Sequence, residues 1–238
     1  MTASHIVIVG GSSGIGFASA RRLAASGHRV TIAGRDEAKL DKAKASLGKD
    51  VHTASFDATD PAAIRRAFAA IGQFDHLVLT LGSNKGLGPF ASVDLEDVKA
   101  GFTEKVFPHF ACAQAALAHL SPQGSITFIS AVTAHAAMPG TAGIGAANAA
   151  IASLVPTLAV ELRPIRVNAV SPGVIDSPWW NFVPAEQRVG VFADYADKSP
   201  VGRVGTPDDI AQVIESLIGN SFLTGQVVVC DGGLRLAA

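Results

Sequence analysis

The sequence predicts a doubly wound α/β fold, a central parallel sheet of seven strands with helices on both faces. Three observations carry this. Short runs of β-branched residues alternate along the 238-residue chain with Ala- and Leu-rich stretches of helical period, the pattern of repeated βα units. Hydrophobic residues make up 48% and charged residues 16%, a balance that suits a sheet covered on both sides and argues against disorder. The first apolar run leads straight into a glycine-rich turn that opens a helix, VGGSSGIG.

The strands are expected at 5–9 (HIVIV), 29–33 (RVTIA), 51–56 (VHTASF), 76–80 (HLVLT), 125–130 (SITFIS), 165–170 (IRVNAV) and 226–230 (QVVVC). Helices are expected between them at 14–26, 36–47, 61–70, 95–120, 141–162 and 207–218, so each crossover is long enough to be helical and right-handed. Pro108 and Pro156 fall inside two of these helices, where each removes an i to i−4 hydrogen bond and should bend the axis. No low-complexity linker and no solenoid repeat divides the chain, so 1–238 reads as one domain. His5, His28, His52 and His76 stand near strand starts and read as structural.

The stretch 177–200 is irregular, follows the sixth strand and carries Trp179, Trp180, Phe182, Phe192 and Tyr195. Doubly wound folds bind ligands at that edge, and such a loop needs something apolar to cover, so a substrate lid is expected there.

A formal net charge of −1 leaves no electrostatic footprint for nucleic acid or an anionic membrane, which makes a small molecule the expected partner. Cys112 and Cys230 have no metal-ligand spacing and are too few for a disulfide framework, so no metal is expected and a reducing compartment is. Neither a basic leader nor an uninterrupted apolar span is read in the sequence, and the expected location is cytoplasmic.

Gly10, Gly14 and Gly16 let the backbone turn tightly and approach a pyrophosphate, while the N–H groups at the helix start attract negative charge. Directly after an N-terminal strand, this turn marks a Rossmann-type dinucleotide site, with Gly10, Ser12, Ser13, Gly14 and Ile15 at the phosphates. The spacing, Gly, three residues, Gly, one residue, Gly, resembles that of the short-chain dehydrogenase/reductase family. The resemblance runs through the chain. Asp57 and Ala58 are similar to the family's adenine-contacting pair, Thr80, Leu81 and Gly82 stand where the family has NAG, and RVNAVSPG (166–173) matches the stretch ending at the nicotinamide. Pro172, Gly173 and Ile175 would line the nicotinamide, and Ser177 stands where a Thr usually holds the carboxamide. TGQVVVCDGG (224–233) fits the last strand.

NAD-binding relatives end the second strand on an acid that would repel a 2′-phosphate; here that position is Gly34, followed by Arg35. A guanidinium can hold a phosphate through a bidentate fork, with Ser12 and Ser13 as added donors, so NADP(H) is expected over NAD(H).

The resembled family donates a proton from a Tyr whose pKa a nearby Lys lowers, with a Ser orienting the substrate and an Asn supporting the Lys. Those positions here are Ile144, Asn148, Ala131 (with Ser130 beside it) and Lys105. Lys105 and His135 are the candidate replacements as catalytic groups, Asn148 can still bond the nicotinamide ribose, and His109 shares a helix face with Lys105. Tyr195 reaches a substrate only if the lid folds over it. The resemblance implies an atypical NADPH-dependent oxidoreductase acting on a small carbonyl or enone, or else a non-catalytic NADP(H)-binding protein of the same fold. It also implies a homodimer or homotetramer.

Overall fold

The computed structural model describes residues 3–237. In chain order it runs β1 (His5–Val9), α1 (Gly14–Ala25), β2 (Arg29–Gly34), α2 (Glu37–Leu47), β3 (Val51–Ser55), α3 (Pro61–Ile71) and β4 (Phe74–Leu79). Next come α4 (Leu95–Gly101), a π-helical turn (Phe102–Val106), α5 (Phe107–Ala116), β5 (Leu120–Ile129), a 3₁₀ turn (Val132–Ala134), α6 (Ala142–Glu161) and β6 (Arg166–Pro172). A second 3₁₀ turn (Pro178–Phe182), α7 (Ala185–Lys198), α8 (Pro207–Gly219), β7 (Val227–Cys230) and α9 (Leu234–Ala237) complete it. The strands form one parallel sheet of order β3-β2-β1-β4-β5-β6-β7. Strand order reverses between β1 and β4, and the crevice at their carboxyl ends is the switch point where such sheets take ligands.

Alternation along β1 sets up two cores. Val7 and Val9 pack with Leu77, Leu79 and Phe128 against Ile64 and Phe68 of α3 and Ile151 and Val155 of α6. Ile6 and Ile8 point the other way, with Val30 and Ile32, onto Leu23 of α1, Leu40 of α2 and Ile210 and Ile214 of α8. Helix starts are fixed locally. Asp36 and Asp60 cap α2 and α3, and Thr206 with Asp209 forms a capping box on α8.

Two expectations change. The helix expected at 95–120 is three pieces, because Pro108 cannot donate to the preceding turn; the chain widens into the π turn and restarts with Pro108 in the first turn of α5, where its missing N–H costs nothing. β4 begins at Phe74 and β5 at Leu120, earlier than their apolar runs, since Phe74 pairs with Leu120 before a register shift ahead of His76. Pro156, by contrast, is exposed inside an unbroken α6. That helix has the length and composition to cross a bilayer, yet its Ile144, Ala147, Ile151 and Val155 are buried in the fold. Three of the histidines near strand starts are tied into the fold: His5 Nε2 is 2.8 Å from Thr31 Oγ1, His76 Nδ1 is 2.9 Å from Ser125 Oγ, and His28 Nδ1 accepts from Ser4 N at 3.2 Å, while His52 is exposed.

Candidate active site

The glycine-rich turn is shaped by contacts that exclude side chains. Gly10 has φ +88° and Gly14 φ +51°, and a Cβ on Gly16 would lie 2.3 Å from the Gly10 carbonyl oxygen. Ser13 at the N-cap of α1 makes no capping bond, so the N–H groups of the first turn remain for an anionic ligand.

A cleft of about 760 Å³ opens above this turn. It brings together Gly10, Ser13, Gly14, Ile15, Arg35, Thr80, Leu81, Gly82, Lys105, Asn148, Pro172, Gly173, Ile175 and Ser177 of the residues singled out from sequence. Four others fall outside its wall. Ser12 is partly buried beside the turn, and a Cβ on Gly34 would meet its Oγ at 3.9 Å. Asp57 and Ala58 lie past the end of β3, where Asp57 Oδ1 accepts from Thr59 N (2.9 Å) and Oγ1 (2.8 Å), bonds that hold its carboxyl below the usual range. His135 is a correction: the 3₁₀ turn after β5 leaves it exposed and off the cleft wall.

The same 3₁₀ turn presents Thr133 to the cleft, a residue the sequence reading missed. Asn148 Nδ2 donates to Thr133 Oγ1 at 2.9 Å, and Asn148 Oδ1 accepts from Lys105 Nζ at 2.5 Å. Lys105 also donates to the Ser130 carbonyl oxygen at 3.2 Å, while Ser130 Oγ donates to the Asn148 carbonyl oxygen at 2.9 Å. Burial pushes the Lys105 ammonium down to about 7, because a charge is hard to keep where water is excluded. The π turn carries Lys105 to this position. Behind it, the fully buried His109 ring lies between the carbonyl oxygens of Lys105 (2.8 Å from Nδ1) and Leu79 (3.2 Å from Nε2), where a neutral ring donates to one of the two. Burial and then the Lys105 charge push His109 down to about 3, so it is neutral, and it takes no part in the cleft wall.

The segment expected as a lid is ordered as the second 3₁₀ turn and α7. Ser177 and Pro178 would be 3.7 and 3.8 Å from a Cβ on Gly14, and Trp179 3.4 Å from one on Gly82, so the segment spans the cleft from the glycine turn to the loop after β4. Trp179 Nε1 donates to the Ser83 carbonyl oxygen at 3.1 Å. Trp180 stacks on Phe182 (5.8 Å) and meets Phe192 and Tyr195 at 5.6 and 6.2 Å. Tyr195 does line the cleft.

Residues 9–235 match the family model described as enoyl-(acyl carrier protein) reductase. The chain is 32% identical, over 95% of its length and 94% of the relative's, to cis-4-hydroxycyclohexanecarboxylate dehydrogenase of Sinomonas cyclohexanicum. The chain belongs to the short-chain dehydrogenase/reductase family. Solved structures agree. A small-chain dehydrogenase in complex with NADPH is 32% identical with a TM-score of 0.84, over 98% of this chain and 99% of that one. A reductase/Diels-Alderase from Malbranchea aurantiaca is 27% identical with a TM-score of 0.88, over 98% and 96%. Within this fold the glycine turn and the Lys105–Asn148 pair face one cleft.

Proposed function

We propose that this short-chain dehydrogenase/reductase is an NADPH-dependent oxidoreductase acting on a small, largely apolar carbonyl or enone, with Lys105 as its proton donor. The observation that carries this is the buried Lys105 Nζ at the cleft floor, held by Asn148 and poised near neutral pH. A general acid works best when its pKa lies near the working pH. When bound, the dinucleotide supplies the hydride. The chain's residues fit that group: the uncapped first turn of α1 and the glycine cradle suit a pyrophosphate, and Asn148 lines the cleft for a ribose hydroxyl. Arg35 and Lys39 line the same cleft, and the space above Gly34 is open toward Ser12, which supports a 2′-phosphate and hence NADPH over NADH. The 32%-identical solved relative, in complex with NADPH, supports the same choice. Buried Ile144 and the aromatic lid keep water from the floor.

The test is NADPH oxidation, followed by absorbance, against a panel of cyclic and aryl ketones and enones, with wild type and Lys105→Met. Turnover that collapses in the variant is expected. If every substrate fails while NADPH binds tightly, Ile144 in the family's tyrosine position favours the second reading, a non-catalytic NADP(H)-binding protein.

The exposed Phe107 and Phe110 of α5 and Val160 of α6 support a homodimer or homotetramer built across these helices. Light scattering on the purified protein checks that.

A further inference from the structure

We infer that Thr133 is the hydrogen-bond donor that the cleft turns toward its ligand, and that it selects an acceptor oxygen, the carbonyl oxygen of a neutral, apolar compound. Calling that ligand a substrate rests on the oxidoreductase reading; the direction of the bond does not.

The direction follows from a chain of hydrogen bonds with one polarity. A lysine ammonium can only donate. Lys105 Nζ faces Asn148 at 2.5 Å, so the oxygen of that amide faces the lysine and its NH₂ faces away. The NH₂ can only donate, and it meets Thr133 Oγ1 at 2.9 Å. Thr133 must therefore accept from Asn148, which leaves its own hydroxyl proton uncommitted. Among the described residues no protein acceptor takes that proton, and Thr133 is a half-buried residue of the cleft wall. The arrangement is held from behind: a Cβ on Gly145 would lie 2.9 Å from the Thr133 carbonyl oxygen, so a glycine there lets the 3₁₀ turn press onto α6 and bring Thr133 to Asn148.

The class of ligand follows from the walls. Leu87, Met138, Ile144, Trp180, Phe182 and Tyr195 line the cleft, whereas its exposed cations, Arg35 and Lys39, follow β2 beside the glycine turn. A carboxylate or phosphate on the ligand would find no exposed cation among the lid residues in this wall. A carbonyl oxygen flanked by hydrocarbon meets the Thr133 donor and leaves no buried charge unpaired. As charge develops on that oxygen the bond strengthens, and removing one such donor costs about 10² to 10³ in rate.

The experiment has two arms, diffraction on the NADP⁺-loaded protein and kinetics with NADPH. Neutron diffraction of perdeuterated crystals locates the deuterons. The expected result is a Thr133 Oγ deuteron directed into the cleft and the Asn148 ND₂ directed at Thr133; a Thr133 deuteron directed at Asn148 or at a backbone carbonyl overturns the inference. The kinetic arm compares Thr133→Val, which keeps the shape and loses the hydroxyl, with Thr133→Ser, which keeps the hydroxyl. It uses ketone reduction with cyclohexanone, 1-tetralone and acetophenone as probes. Loss of about a hundredfold in kcat/KM for the Val variant with recovery in the Ser variant is expected. Equal rates for wild type and Thr133→Val overturn the inference. Asn148→Asp adds a case for the diffraction arm: the carboxylate still pairs with Lys105 but now accepts from Thr133, so the Thr133 deuteron turns away from the cleft, and a deuteron still directed into the cleft overturns the argument from polarity. A cleft-directed deuteron in a protein that reduces no carbonyl overturns the oxidoreductase reading while upholding Thr133 as the donor.

Discussion

Lys105 Nζ lies 2.5 Å from Asn148 Oδ1, a contact that joins the π turn to α6 at the cleft floor. The contact sets one amine and one amide side by side, and the π turn holds the amine deep in the protein, where burial brings it down to about 7.

The first prediction is a pH profile. If protonated Lys105 gives the proton, kcat/KM for carbonyl reduction is high below about 7 and falls as pH rises through it. Lys105→Met should lower the rate by about 10² to 10⁴ and flatten that limb. Steady-state kinetics from pH 5.5 to 9 with both proteins would show it; an unchanged limb in the variant assigns the proton to another group.

Stability carries the same signature with a defined sign. The folded-state value is depressed from 10.5 to about 7, so between those limits the unfolded chain binds more protons than the native one. This residue's contribution to stability therefore rises with pH from about 7 toward 10.5, as the cost of burying its charge disappears. Urea unfolding of wild type and Lys105→Met at pH 7.0 and 9.5 should show the difference between them shift in favour of wild type by on the order of 3 kcal/mol at the higher pH. A constant difference would mean that the amine keeps its proton in the folded protein across this range, as a hydrated ammonium does.

Cofactor choice is tested at the end of β2. Gly34→Asp introduces a side chain where the nearest atoms to a Cβ are 3.9 Å away, so it fits without strain, and its charge opposes a 2′-phosphate. Its NADPH affinity should fall about tenfold or more while NADH affinity holds or improves, and Arg35→Ala should lose NADPH binding selectively. Fluorescence titration of Trp179 and Trp180 with each nucleotide reads both.

The sheet and the glycine turn were legible in the sequence because they rest on periodicity and on backbone conformations that only glycine adopts easily, as at Gly10 and Gly14. Helix 95–120 was misread because its apolar pattern continues through Pro108; the π turn that absorbs the proline leaves no mark in hydrophobic spacing. Lys105 and Asn148 were found by their places in the resembled pattern. Thr133 was missed and His135 wrongly preferred because both sit at the 3₁₀ turn after β5, whose direction decides which residue faces the cleft, and nothing local to the sequence fixes it.

Arg166 carries a structural prediction. Its guanidinium donates to the carbonyl oxygens of Leu217 (2.7 Å), Ile218 (2.9 Å) and Leu223 (3.1 Å), so it satisfies the end of α8 and the turn into β7 while nearly buried. Arg166→Leu leaves three carbonyls without that donor and should cost about 2–4 kcal/mol in urea unfolding. Nucleotide affinity should change little once the protein is folded, since Arg166 lies at the amino end of β6, away from the cleft.

The last prediction concerns access to the cleft. Trp179 packs over Gly82, and its indole N–H is bonded to the Ser83 carbonyl oxygen, while Ser177 and Pro178 sit beside Gly14. If a ligand reaching the glycine turn and the floor together passes beneath this segment, the indole bond acts as a latch. Trp179→Phe keeps an aromatic ring over Gly82 but removes the donor, a loss of about 0.5–1.5 kcal/mol. Stopped-flow release of NADPH should accelerate by roughly two- to tenfold, with a smaller change in association, because the closed state alone loses the bond. Gly82→Leu tests the packing independently, since a Cβ there would already touch Trp179 Cδ1 at 3.4 Å and the atoms beyond it displace the indole. Unchanged release in both variants would show that nucleotide exchange does not pass through the Trp179 segment.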